Sequence, residues 1–238
     1  MRTETIEYQE GGVAFEGHAA YDESSGSKRP CVLVSHAWAG LLGAEREAAG
    51  RLAGLGYLAF AVDLFGRGVR GNPAGDNSKL IQPLLEDRPM LRRRLLASLE
   101  AARKHPLADP GRVAAIGYCF GGLCVLDLAR SGAPGVRGVA SFHGLFHPPK
   151  LGPQPPIAAK VLLLHGWDDP LAPPEDVLMI AKELTEARAD WQLHAYGHAL
   201  HAFTNPHADN PAGGVKYDAG ADRRSWAAME YFLKEAVG

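Results

Sequence analysis

The chain has 238 residues, of which 25 are Lys or Arg, 27 are Asp or Glu and 10 are His, giving a formal net charge of −2. This near balance argues against binding to nucleic acid or to an anionic membrane, which requires a clustered positive excess, so we expect neither partner. The hydrophobic share of 46% is typical of a globular protein, and single α/β domains of about 200–250 residues are common, so one domain over residues 1–238 is expected.

The first predicted elements are strands. Period-two alternation over residues 5–9 and 13–21, separated by Glu10-Gly11-Gly12, predicts an N-terminal β-hairpin. Short, almost continuous apolar runs follow, and such runs are typical of strands that are buried on both faces. The clearer runs are 31–35, 58–62, 113–116 and 161–164, and the weaker ones are 136–142 and 191–196.

Helical patterns alternate with these runs, at residues 44–55, 79–104, 122–131, 174–187 and 222–236. This alternation predicts an α/β fold with a mainly parallel central sheet that is flanked by helices on both faces. Ligands of such sheets bind at the loops beyond the carboxyl ends of the strands. We therefore expect the functional residues in those loops.

A cysteine lies directly after the third clear apolar run, in Gly117-Tyr118-Cys119-Phe120-Gly121-Gly122. A strand that turns sharply into a helix can hold a nucleophile in a strained backbone conformation, and small residues must then flank it on both sides. Thiols at helix N-termini beside an imidazole ionise readily. We therefore predict that Cys119 is a nucleophile, whereas Cys31 in a strand and Cys124 inside a helix are predicted to be structural.

The fourth clear run ends in His165-Gly166-Trp167-Asp168-Asp169-Pro170, which brings two carboxylates to the same edge of the sheet. A nucleophile elbow needs an acid and a base from later in the chain. We prefer Asp169 as the acid, because the following Pro170 fixes a turn there, and assign Asp168 a supporting role or contact with solvent.

Three histidines follow the last predicted strand or lie in it, namely His194, His198 and His201. His194 falls inside the strand, and the other two lie in the loop beyond it, where either could be the base. Their spacings would place metal ligands on one face only in a helix, whereas Gly197 favours strand and loop. We therefore predict no metal site.

Two backbone N–H groups are predicted to form an oxyanion hole, as in other proteins with a nucleophile elbow. One is that of Phe120, directly after the nucleophile. The other comes from the loop His36-Ala37-Trp38-Ala39-Gly40 after the strand at 31–35, and we place it at Ala37.

The compartment is predicted from what the chain lacks. No apolar run approaches the roughly 20 residues that span a bilayer, and residues 1–5 lack the apolar core of a signal peptide. Three cysteines are an odd number and fit a reducing compartment. We expect a cytoplasmic protein that does not contact a membrane.

Five segments together resemble the dienelactone hydrolase family of α/β-hydrolases, and they appear in the family's order from about residue 30 to the final helix. The most specific segment is Gly117-Tyr118-Cys119-Phe120-Gly121-Gly122. The other segments are Val32-Leu33-Val34-Ser35-His36, Asp63-Leu64-Phe65-Gly66-Arg67, His165-Gly166-Trp167-Asp168-Asp169-Pro170 and His201-Ala202-Phe203.

The resemblance implies an α/β-hydrolase fold and a triad of Cys119, Asp169 and His201, which selects His201 over His198. It also implies hydrolysis of small-molecule lactones or activated esters without a cofactor, and we expect the reaction to pass through a thioester on the cysteine. Arg67 resembles an arginine with which the family grips a substrate carboxylate, and neighbouring Arg70 could serve equally.

Two positions depart from the family pattern. A family glutamate that partners the resting thiol is replaced by His36, and a second family arginine is replaced by Asn205. His36 and Trp38 are grouped with Arg67 as expected substrate-binding residues. The half-built carboxylate clamp indicates a substrate other than dienelactone itself.

Two alternative functions remain beside the hydrolase, and a monomer or weak homodimer is expected in each case. One is a binding or redox-responsive protein in which Cys119 is oxidised instead of acylated. The other is a zinc hydrolase that uses the histidine cluster. An acid and a base in the hydrolase order favour the cysteine hydrolase.

Overall fold

The computed structural model describes residues 1–24 and 26–238. The chain opens with the antiparallel pair β1 (Arg2–Glu10) and β2 (Val13–Tyr21), joined by two glycines with positive φ. Glycine adopts this backbone conformation at little cost, so the two-residue turn closes without strain. The predicted N-terminal hairpin is confirmed.

Six further strands complete the central sheet: β3 (Arg29–Ser35), β4 (Leu58–Ala61), β5 (Ala108–Tyr118), β6 (Val136–Phe142), β7 (Lys160–Gly166) and β8 (Trp191–Tyr196). The strand order is β1-β2-β4-β3-β5-β6-β7-β8. Only the two pairs that involve β2 are antiparallel, and every pair from β4 to β8 is parallel. The predicted, mainly parallel sheet is confirmed, and the carboxyl ends of β3 to β8 share one edge.

The described residues also form six α-helices: α1 (Gly43–Gly54), α2 (Ser78–Glu86), α3 (Arg88–Arg103), α4 (Phe120–Arg130), α5 (Pro174–Glu186) and α6 (Ala219–Val237). A small second sheet pairs β9 (Asp209–Asn210) with β10 (Val215–Lys216) after the last central strand. None of the helices in this described part of the chain is both long enough and apolar enough to cross a bilayer.

Alternate residues of the buried strands supply two separate layers of core. Val32 and Val34 of β3 pack with α1 and α6 on one face, whereas Cys31 and Leu33 pack with α3, α4 and α5 on the other. A strand covered on both faces needs apolar residues at every position, which explains the continuous apolar runs in the sequence. The prediction of helices on both faces is confirmed.

The single helix predicted over residues 79–104 is wrong, because the chain forms α2 and α3 with a break at Asp87. The Asp87 carboxylate accepts a hydrogen bond from the Met90 N–H and caps α3, and Pro89 lies in the first turn of that helix. An N-cap aspartate followed by an early proline is a start signal for a helix. The hydrophobic periodicity, which continues across the break, masked this signal.

Candidate active site

Cys119 lies at the sharp turn between β5 and α4. Its φ of 56° and ψ of −116° are strained for a residue with a side chain. A hydrogen bond of 3.0 Å from its N–H to the Phe142 carbonyl ties this turn to the end of β6. The backbone therefore holds Cys119 at the edge of the sheet where the parallel strands end.

The two glycines that flank Cys119 are required by close packing. A Cβ at Gly117 would collide with the carbonyl oxygen of Gly121, and a Cβ at Gly121 would collide with the carbonyl oxygen of Ser35. The turn is consequently as tight as the sequence pattern predicts, and it packs directly against the end of β3.

Cys119 is the partly exposed cysteine of the three. Cys31 and Cys124 are fully buried, and burial raises the pKa of Cys31 to about 12 and that of Cys124 well above its usual value. Both are therefore neutral thiols at physiological pH, in keeping with a structural role.

Asp169 and His201 form a buried pair near the elbow. The distance from His201 Nδ1 to Asp169 Oδ2 is 2.7 Å, and both residues are almost completely inaccessible to solvent. The other carboxylate oxygen, Oδ1, accepts a hydrogen bond of 2.8 Å from the Leu171 N–H. These contacts fix the carboxylate and leave the other ring nitrogen of His201 to face away from Asp169.

The small β9–β10 sheet positions His201. The His201 N–H donates to the Gly214 carbonyl at 3.0 Å, and the Lys216 N–H donates to the His201 carbonyl at 3.1 Å. On its other side, the chain just before His201 packs so closely on β7 that a Cβ at Gly166 would collide with the Ala199 carbonyl. The histidine is thus held between the end of β7 and a short ordered loop.

The charge state of His201 depends on its neighbours. Burial acts to lower the pKa of His201, but the charge of the Cys119 sulfur and the hydrogen bond to Asp169 outweigh burial and raise this pKa to about 10. Within residues 1–24 and 26–238, His201 Nε2 is buried and makes no hydrogen bond of standard geometry. The Cys119 sulfur and the Asp169 carboxylate therefore both favour the protonated form of His201.

The second acid and the second loop histidine lie outside this buried arrangement. Asp168 and His198 face each other at 3.5 Å between Oδ2 and Nδ1, with side chains 47% and 98% exposed. Surface pairs of this kind contribute little free energy. The structure brings His201 and Asp169 together in the interior and leaves His198 and Asp168 in solvent.

The loop after β3 contains the expected second oxyanion donor. The Ala37 N–H donates a long hydrogen bond of 3.3 Å to Glu45 Oε1. The N–H of Phe120 is the first of α4, where a helix has no internal acceptor for it. Phe120 is therefore placed to donate to a ligand, whereas Ala37 would have to exchange its bond with Glu45.

Both ring nitrogens of His36 are already occupied by the backbone. Nδ1 lies 2.7 Å from the Ala37 carbonyl, and Nε2 accepts a bond of 3.2 Å from the Leu64 N–H. The residue is fully buried, and burial lowers its pKa, so the imidazole is neutral. Its side chain has no free nitrogen for a substrate, whereas Trp38 in the same loop is partly exposed.

Neither of the arginines considered for a carboxylate clamp is free. Arg67 is paired with Glu7 of β1 at 2.6 Å. Arg70 is paired with Glu16 at 3.0 Å and with Asp63 at 3.4 Å. Strand β1 lies four strand positions from β5 in the sheet, which corresponds to roughly 19 Å at the usual strand spacing.

Two further buried histidines lie beside the pair, and neither is among the site residues predicted from the sequence. The His143 ring centroid lies 5.1 Å from that of His201, and His165 packs on Trp167 with ring centroids 6.3 Å apart. Burial lowers the pKa of both. Each directly follows or ends a predicted strand, so the rule that directed attention to the strand ends could have found them. In the described part of the chain, no group of three or more His, Cys, Asp or Glu residues is arranged to hold a metal ion.

Comparison with known proteins identifies the family of the chain. The model of the dienelactone hydrolase family matches residues 15–237. The crystal structure of a dienelactone hydrolase-like promiscuous phosphotriesterase from metagenomic libraries is 37% identical, with a TM-score of 0.92 over 100% of this chain and 99% of that one.

Two further proteins are similar to this chain in sequence. A "Putative carboxymethylenebutenolidase" of Aquifex aeolicus is 27% identical over 233 residues, which cover 96% of both chains. An uncharacterized protein of Caenorhabditis elegans is 38% identical over 148 residues, which cover 61% of this chain and 94% of that one. The chain therefore belongs to the dienelactone hydrolase family, as its motifs predicted, and it is a carboxylic ester hydrolase with the α/β-hydrolase fold.

Proposed function

We propose that the protein hydrolyses small-molecule lactones or activated esters through a thioester on Cys119, with His201 and Asp169 as its base and acid. The observation that carries the proposal is the buried Asp169–His201 pair, 2.7 Å apart, together with the strained turn that presents Cys119. The Cys119 sulfur and Asp169 raise the pKa of His201 to about 10 against the effect of burial, which agrees with this arrangement. A thiolate beside an imidazolium is an activated nucleophile.

In the acylation step, the Cys119 sulfur forms a bond to the substrate carbonyl carbon, and the carbonyl oxygen becomes an oxyanion. The Phe120 N–H at the start of α4 is the principal proposed donor to this oxyanion. The Ala37 N–H joins it only if the oxyanion displaces Glu45, whose carboxylate now accepts that hydrogen bond at 3.3 Å. The carbon–oxygen bond of the ester then breaks, and His201 gives its proton to the leaving oxygen.

The thioester changes the chemistry of His201. Once acylated, the Cys119 sulfur carries no negative charge, so its contribution to the raised pKa of His201 disappears. Burial then acts against Asp169 alone, and the pKa of His201 must fall. The neutral imidazole can accept a proton from water, which attacks the thioester and releases the thiolate while His201 keeps the proton. The starting pair is thereby restored.

The charges around the site favour an uncharged substrate. Arg67 and Arg70 already neutralise acidic side chains, and Asn205 stands where the family has a second arginine. The amide oxygen of Asn205 accepts a bond from the His207 N–H within its own turn. With these groups occupied, we propose neutral esters and lactones as the substrate class, with Trp38 as a partly exposed apolar contact.

Trapping of the acyl intermediate tests the proposed reaction. We expect wild-type protein mixed with p-nitrophenyl acetate and quenched in acid to gain the mass of one acetyl group, which peptide mapping assigns to Cys119. Thioesters survive acid quenching, so intact-protein mass spectrometry can detect the adduct. If turnover on a panel of esters were absent and Cys119 were found only as a sulfenate, the redox-responsive alternative would replace the hydrolase.

Substitution of Arg67 tests the expectation that this arginine grips a carboxylate. We expect Arg67→Ala to change kcat/KM by less than about fivefold on neutral and on carboxylated lactones alike, because the Arg67 guanidinium is engaged with Glu7 of β1 and does not bind the substrate. Kinetics on matched pairs of lactones would measure this, and a neutral phosphotriester belongs in the panel because one relative is named a promiscuous phosphotriesterase. A selective loss of kcat/KM on the carboxylated lactones would show that Arg67 does bind a substrate carboxylate.

A further inference from the structure

His143 lies at the carboxyl end of β6, which is paired with β5, the strand before the nucleophile, and with β7, the strand before the acid. It directly follows β6, and its N–H donates to the Leu164 carbonyl of β7 at 2.8 Å. On the other side, the carbonyl of the preceding Phe142 accepts the hydrogen bond from Cys119. Its φ of 37° lies in the left-handed region, and the side chain is buried.

The His143 ring is in edge contact with the ring of His201. The two ring centroids are 5.1 Å apart with an interplanar angle of 69°. On its remaining sides His143 meets Phe203 at 5.1 Å and Tyr118 at 6.1 Å between centroids. Because these neighbours enclose the ring, a change in its orientation would be transmitted to His201.

A hydrogen bond sets the orientation of the His143 ring. Its Nε2 lies 2.8 Å from the Thr204 hydroxyl, which is carried by the same loop as His201. Its Nδ1 is buried and has no partner among the described residues. Burial, together with the neighbouring His201 and His165, keeps the pKa of His143 well below its usual value, so the ring stays neutral beside an imidazolium.

His201 needs such a contact because, among the residues that the structure describes, its ring is hydrogen-bonded to one oxygen atom, Asp169 Oδ2, while its other interaction is with the Cys119 sulfur. A single bond at Nδ1 fixes one point of the ring but allows the ring to turn about the line through that bond. Packing must therefore decide where Nε2 points, and a displacement of about 1 Å at a reacting group can cost about 10²-fold in rate.

We propose that His143, held by Thr204, is a positioning residue for His201: it fixes the plane of the imidazole so that Nε2 stays directed toward Cys119. This inference rests on the proposed function of the Cys119–His201 pair. A ring of the same size without a hydrogen bond would fill the space but would not be locked, which explains a histidine at this buried position.

The test uses a matched pair of variants at Thr204. Thr204→Val keeps the shape of the side chain and removes the hydroxyl, whereas Thr204→Ser keeps the hydroxyl and removes a methyl group. We expect Thr204→Val to lower kcat on p-nitrophenyl acetate about tenfold or more with little change in KM. Thr204→Ser is expected to keep most of the wild-type kcat, and His143→Phe should resemble Thr204→Val.

Two further measurements separate positioning from a loss of structure. Thermal unfolding should give similar midpoints for the two Thr204 variants. The rate at which iodoacetamide alkylates Cys119 should fall in Thr204→Val and recover in Thr204→Ser, because a displaced imidazolium stabilises the thiolate less. Equal kcat and equal alkylation rates in wild type, Thr204→Val and His143→Phe would overturn the inference.

The alkylation rate also separates this inference from the proposed function. If Thr204→Val slowed alkylation while wild-type protein hydrolysed no ester, the positioning of His201 would stand and the hydrolytic function would fail. If wild-type protein formed the acetyl adduct but Thr204→Val behaved as wild type in both measurements, only the positioning role would fail.

Discussion

Replacing Cys119 by alanine is expected to reduce kcat for ester hydrolysis by at least about 10³-fold, since removal of the nucleophile leaves only the oxyanion donors and substrate binding. The variant should still fold, because Cys119 is partly exposed and alanine fits the space of the thiol. Release of p-nitrophenol by purified protein would measure the loss, and the thermal unfolding midpoint would show whether the fold is retained.

Cys124→Ala is the matched control, because it makes the same substitution five residues further along, inside α4. Cys124 is fully buried, and burial raises the pKa of its thiol well above the usual value, so it is not available as a thiolate. We expect this variant to keep nearly all of the wild-type kcat. Wild-type turnover in Cys119→Ala, or a greater loss in Cys124→Ala, would show that the nucleophile has been assigned to the wrong residue.

The elbow could be predicted from sequence because its requirements are local. The buried run, the two flanking glycines and the following helix all lie within about fifteen residues of one another, and each reports on the backbone conformation that holds Cys119. The packing of Gly117 on Gly121 and of Gly121 on Ser35 gives these glycines their physical reason. A short segment thus carries enough information to locate a strained turn.

The environment of the arginines could not be predicted, because it depends on contacts between distant parts of the chain. Arg67 lies 60 residues from its partner Glu7 in sequence, and nothing near Arg67 indicates that β1 passes beside it. The resemblance to a family arginine fixes the residue type and the loop. It does not fix the rotamer of a long side chain that can reach several acceptors.

His36 and His143 illustrate the same difficulty for buried polar residues. A histidine at the carboxyl end of a strand can face a ligand, satisfy backbone groups or support another side chain, and the sequence is the same in all three cases. His36 turns out to satisfy the backbone through both nitrogens. His143 contacts His201 and Thr204. Only the assembled loops distinguish these roles.

The second large effect is expected at the base. His201→Ala should lower kcat by about 10²–10⁴-fold, the range that general acid–base catalysis supplies. The control is His198→Ala, three residues earlier in the same loop, which should have almost no effect because that side chain is 98% exposed. Kinetics on one ester with both variants side by side would decide between the two histidines. Equal losses would leave the choice of His201 unsupported.

The acid can be tested by the same logic with Asp169→Asn and Asp168→Asn. The asparagine at 169 can still accept the Leu171 N–H, so the turn after β7 is expected to hold. Without the carboxylate, burial is opposed only by the Cys119 sulfur, so the pKa of His201 must fall and the thiolate must lose part of its counter-charge. We expect a loss in kcat approaching about 10⁴-fold, as in other triads that lose this carboxylate, together with slower alkylation of Cys119.

Asp168→Asn should change neither quantity, because its carboxylate lies in solvent beside His198 and away from the buried ring. Similar losses from the two substitutions would mean that the buried hydrogen bond does not orient the base, whereas a loss confined to Asp169→Asn would assign the acid to the carboxylate that burial and geometry favour.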